Sequence, residues 1–144
     1  MKKIALLFLS GILYSSISFA QCDTIANTCV KHLGKAFISD GQEYRALLIG
    51  TEIAEYTTTF YGGSTYRIAA CSRFTDGDLS FSLYDSEHRL LFTNTNYKNS
   101  PWWDFKFAST INGTVEAQLS ASAPKEEGED MANGCAVILI GFKN

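Results

Sequence analysis

The chain is short of everything that would announce a reaction. It holds no G-x-S-x-G elbow, no H-E-x-x-H zinc motif and no phosphate-cradling glycine loop. The common signatures of ester, peptide and phosphoryl chemistry are therefore missing. Histidine occurs twice, at His32 and His88, and both positions read as solvated. The paired C-x-x-C spacing of a structural zinc site is absent too. No cluster of lysine and arginine offers a footprint for nucleic acid or a membrane surface. Beyond residue 20 no stretch is long and apolar enough to span a bilayer. No segment repeats, and no cofactor is expected.

What is present begins with an export signal. "MKK" is basic, "IALLFLSGILY" is apolar, and "SSISFA" sets Ser18 and Ala20 before a cleavage point ahead of Gln21. Residues 1–20 thus read as a signal peptide, and the mature chain as periplasmic or secreted. Gln21 is a poor residue to precede a lipidated cysteine, which argues against an anchor at Cys22. Residues 21–144 are of single-domain length. Setting aside Lys2 and Lys3 leaves 10 basic side chains against 15 acidic ones, a net charge of −5. All four cysteines (Cys22, Cys29, Cys71 and Cys135) lie in this part. An even count in an oxidising compartment reads as two disulfides, which leaves no thiolate nucleophile.

"CDTIANTCVKHLGKAFISDG" has a helical period: Cys22, Ile25, Cys29, Leu33, Ala36 and Phe37 share a face, and "SDG" reads as its stop. Cysteines seven apart on a helix stand about 10 Å apart, too far to bond. Cys22 and Cys29 then reach Cys71 and Cys135. If the helix frays at its start, Cys22–Cys29 with Cys71–Cys135 remains open. From residue 42 the period becomes two. "DLSFSLYD" turns Leu79, Phe81 and Leu83 one way, and "WWDFKFASTI" turns Trp103, Phe105 and Phe107 one way and Trp102, Asp104 and Lys106 the other. "GGS" at 62–64 and "NG" at 112–113 read as hairpin turns. In "CAVILIGF" both faces are apolar, so both need cover. The sandwich core covers one, and the stapled helix is the natural cover for the other. The expected fold is all-β: a jelly-roll-like antiparallel sandwich of about eight strands, with one N-terminal helix packed on a sheet.

"YTTTFYGGSTYRIAA", "DGDLSFSLYDSEHRLLFTN" and "FKFASTINGTVEAQLSA" together resemble the bacterial pre-peptidase C-terminal domains, which are small jelly-roll modules. The resemblance covers residues 55–120, about half the mature chain. It implies the sandwich and a non-catalytic binding role. Some relatives of that architecture hold calcium in Asp-rich loops, which makes Asp76, Asp78 and Asp85 weak calcium candidates here. The cysteine-bearing helix and the wholly apolar last strand depart from the family pattern.

The remaining candidates are aromatic and polar. Trp102 sits on the face opposite the core residues, and an exposed indole stacks on sugars or anchors proteins. Tyr97, Asn94, Asn96 and Asn99 precede it, and Asp104 shares its face. These six residues form the expected ligand surface. Asp104 and Glu116, on strands flanking the 112–113 turn, are the one carboxylate pair that could hydrolyse a glycosidic bond. Glu126 to Asp130 form an acidic loop. The expectation is a non-catalytic exported module that binds a protein or glycan. The alternatives are a carbohydrate-binding module, which needs a planar row of exposed rings, and a small hydrolase, which needs polar groups converging in a cleft.

Overall fold

The computed structural model describes residues 17–73 and 75–144. The signal peptide expected over residues 1–20 falls almost wholly outside them. Helix α1 (Ile17–Leu33) is followed by β1 (Ile38–Ile49), β2 (Ile53–Phe60), β3 (Thr65–Ser72), β4 (Leu79–Asp85) and β5 (Leu90–Thr93). A 3-10 turn, Asn94–Tyr97, leads to β6 (Trp102–Lys106), β7 (Ile111–Leu119) and β8 (Asn133–Lys143). Two four-stranded antiparallel sheets result, ordered β1-β8-β3-β6 and β2-β7-β4-β5. The all-β sandwich with one helix is as expected from the alternation.

The main core lies between the sheets. β4 contributes Leu79, Phe81 and Leu83, β7 contributes Val115, Ala117 and Leu119, and β8 contributes Ala136, Ile138 and Ile140. A second cluster lies on the outer face of the first sheet. There Cys135, Val137 and Leu139 of β8 meet Ile25, Ala26 and Cys29 of α1, with Ala69 and Cys71 of β3. Two disulfides, Cys22–Cys135 and Cys29–Cys71, fasten the helix across these strands. Both helix cysteines bond to cysteines outside the helix, as an intact helix requires.

Several local expectations give way. The helix ends at Leu33, not at "SDG", because Gly34 takes the left-handed conformation (φ 76°) that closes a helix. Ala36 and Phe37 lie beyond it. "SDG" instead falls inside β1, where the pairing with β8 slips between Ser39 and Glu43 as a bulge. "GGS" links β2 to β3, which belong to different sheets, so it is a crossover and not a hairpin. "NG" is no turn either: Asn112 and Gly113 pair within β7 against Thr59 and Thr58. Gly113 is needed there because a Cβ would stand 2.8 Å from the Phe60 ring. Among the described residues, β4 and β5 are the one consecutive pair of strands that forms a hairpin.

Candidate functional site

Trp102 faces outward as its alternation requires, but it is not free. Ala69 pairs with it across β3–β6, and Arg67 pairs with Asp104. The Arg67 guanidinium lies 3.9 Å from the Trp102 ring centroid and 4.5 Å from that of Phe37. Its Nε and Nη2 donate to the two Asp104 oxygens at 2.6 and 2.9 Å. Its Nη1 donates to the His32 and Leu33 carbonyls at the end of α1. One arginine thus satisfies orphan carbonyls of the helix end and is held between two rings. Trp102 and Asp104 are parts of a clamp on the helix, with the indole still 37% exposed.

The asparagine loop does not join them. Asn94, expected to meet ligand, is completely buried. Its Oδ1 accepts from the Phe81 amide at 2.9 Å, and its Nδ2 donates to the Leu79 and Ser100 carbonyls. No polar atom is left to offer a ligand. Asn99 Nδ2 donates to the Gly77 carbonyl, which ties the loop to the start of β4. Tyr97, 49% exposed, packs one side of its ring on Trp103 and Phe92, with ring centroids 4.3 and 5.5 Å away. Trp103 pairs with Ile68 and packs on the core, so Tyr97 and Trp102 lie on opposite sides of β6. Asn96 remains exposed. The six expected residues are one clamp and one anchored turn, not one surface.

The carboxylate pair is also separated. Asp104 belongs to one sheet and Glu116, on β7, to the other. Glu116 stands 3.7 Å from His88, which stacks on Tyr84. His32 is paired as well, with Nε2 at 3.0 Å from Asp76 Oδ1. Asp76 and Asp78 precede β4 while Asp85 ends it, where Asp85 binds Arg89. Asp78 folds back on Thr75. No group of three or more His, Cys, Asp or Glu side chains among the described residues is placed to hold a metal ion. The acidic loop returns to the sandwich through Glu126 and Arg73 at 2.6 Å.

A concavity lies elsewhere, at one end of the open edge where β1 and β2 run past each other in different sheets. A cleft of about 680 Å³ opens there. Phe60, Tyr66, Ile140 and Phe142 form its apolar lining, and Asp40, Gln42, Thr58, Tyr61, Ser64 and Asn144 bring polar groups to it. The β1 bulge turns Asp40 toward this space. Asp40 Oδ1 accepts from the Gln42 amide at 2.9 Å. Burial pushes the Asp40 carboxyl above its ordinary value, against the lowering effect of that amide and of the Tyr44 hydroxyl. Tyr44 is raised chiefly by burial, with Thr58 pulling it down and Asp40 pushing it up. Its ring packs 5.1 Å from that of Tyr56, whose hydroxyl is buried without a partner. A carboxylate partly withdrawn from water beside aromatic walls is the mixture of groups that marks a binding site. Asp40 was missed in the sequence because "SDG" passes for a helix stop.

The class defined by this architecture is a disulfide-clamped, eight-stranded sandwich with a helix as a third layer. Among solved structures it is similar to the crystal structure of Aeromonas hydrophila PliG, a periplasmic lysozyme inhibitor of g-type lysozyme. The likeness covers 76% of this chain and 90% of that one, with a TM-score of 0.53 and 9% sequence identity. No protein-family model matches the chain, and no curated protein matches it by sequence.

Proposed function

We propose that this chain is an exported, non-catalytic binding protein whose partner is a lysozyme, which it inhibits. The observation that carries this reading is the shared sandwich with the periplasmic inhibitor of g-type lysozyme, which takes in nearly all of that protein. The two disulfides agree with folding in an oxidising compartment. The arrangement of polar groups agrees with a binding role, because Asp104 is engaged by Arg67, and Glu116 lies in the other sheet. A carbohydrate module built on Trp102 is less well supported. That ring is stacked by an arginine, and Tyr97 lies across the strand from it. The family resemblance to pre-peptidase C-terminal domains points the same way as far as a non-catalytic role goes.

The test uses oxidised protein comprising residues 21–144. Clearing of a cell-wall suspension by g-type lysozyme, and by lysozymes of other types, is followed as the protein is added. Binding is measured in parallel by calorimetry. Loss of activity at near-stoichiometric amounts with one type supports the reading. Full activity and no binding heat with every type would sink it.

A further inference from the structure

We infer that the cleft between the β1 and β2 edges is a socket for one basic side chain, lysine or arginine, presented by the protein partner. This rests on the reading above that the partner is a protein, and it adds where and by what chemistry that partner is held.

Three observations lead there. First, the cleft has one side-chain carboxylate, Asp40, and its lining contains no lysine or arginine to answer it. The cations flanking it in sequence are engaged elsewhere: Lys143 lies over the Phe37 ring, Arg45 binds Asp23 and Glu43, and Arg67 binds Asp104. Second, the walls are aromatic. Phe142 and Tyr66 line the cleft, and Tyr61, 62% exposed, stands at its rim. A cation beside a carboxylate and against ring faces gains from both, and gains more as water is excluded. Third, the carboxylate is already partly stripped of water. A neutral sugar would leave that charge uncompensated; an ammonium or guanidinium answers it directly. The net charge of −5 outside the signal peptide favours approach of a basic surface over an acidic one.

The experiment needs no enzyme. Isotope-labelled, oxidised protein is titrated with N-acetyl-arginine amide, N-acetyl-lysine amide and, separately, a neutral disaccharide, and amide shifts are mapped by NMR. The basic probes are expected to move the signals of Asp40, Gln42, Thr58, Tyr61 and Phe142. Asp40→Asn keeps an oxygen for the Gln42 amide and removes the charge, so it should abolish those shifts. Tyr61→Ser, at an exposed position, should weaken them severalfold and serves if the first variant folds poorly. Shifts that are absent, that persist undiminished in Asp40→Asn, or that arise only with the disaccharide would overturn the socket. With a lysozyme that the wild type binds, Asp40→Asn should lower affinity about tenfold or more. If lysozyme is inhibited and the probes do not bind, only the socket is lost. If the probes bind and no lysozyme is inhibited, only the choice of partner is lost.

Discussion

β7 and β8 are both central strands, yet they are built differently. Along β7 buried and half-exposed residues alternate, from Gly113 through Leu119. Along β8 eight consecutive residues, Gly134 to Gly141, are buried. The difference lies in what covers each sheet. The outer face of β7 meets water, and polar Thr114, Glu116 and Gln118 occupy it. The outer face of β8 meets α1. An antiparallel sheet normally keeps one wet face; here a third layer has been added to one sheet, and covalent bonds hold it. A continuous apolar strand in an otherwise alternating protein is thus a sign of an extra layer, and the cysteines say which segment supplies it.

The widest break in that contrast comes from reducing both disulfides. The cross-links close spans of 113 and 42 residues. Chain-entropy reasoning assigns each about 4–5 kcal/mol, with a smaller combined effect because the spans overlap. Denaturant unfolding with and without reductant should show the loss, together with aggregation as the outer face of β8 is uncovered. A finer cut compares two neighbours on β8. Ile138→Ala and Leu139→Ala should each cost about 2–5 kcal/mol in oxidised protein. After reduction the cost of Leu139→Ala should shrink while that of Ile138→Ala stays, since only Leu139 packs on the helix. Equal costs in both states would mean that the helix stays docked without its staples.

Asn94→Ala comes next. It strands the Phe81 amide and two carbonyls, and should cost about 2–3 kcal/mol by thermal or chemical unfolding. Trp102→Ala loosens the Arg67 clamp at the far end of α1. It should cost about 1 kcal/mol, with faster amide exchange confined to the last turn of the helix. The smallest effect is at the uncovered edge. Because the Asp40 carboxyl is raised in the folded state, folding favours its protonated form, and the ionised form works against stability at neutral pH. Asp40→Asn should therefore be slightly more stable than wild type at pH 7, with the advantage vanishing below the ordinary carboxylate range. A variant less stable than wild type at pH 7 would show that the charge supports the fold.

Much of this was legible from residues alone. Period-two alternation found the strands, because each buries one face, and β8 betrayed its third layer by having no polar face. What alternation cannot show is which strand joins which sheet. "GGS" and "NG" carry hairpin chemistry, but β2 and β3 separate into different sheets, and Gly113 is small to make room for Phe60. The site was less legible for a related reason. Asn94 and Trp102 have the right chemistry for recognition, yet Asn94 is buried and Trp102, though partly exposed, is stacked by Arg67. Asp40 looked like punctuation, because a bulge is invisible until the partner strand gives the register.

The staples also set an order of assembly. Cys29 can meet Cys71 once the first three strands have emerged, but Cys22 must wait for Cys135 in the last. While it waits, Cys29 and Cys71 are both nearer to Cys22 in sequence than Cys135 is. A chain crossing a membrane N-terminus first would thus pass through a stage in which the wrong bond is within reach and the right one does not yet exist. On such a route the native pairing would be reached by delayed oxidation or by exchange that reopens an early bond at Cys22.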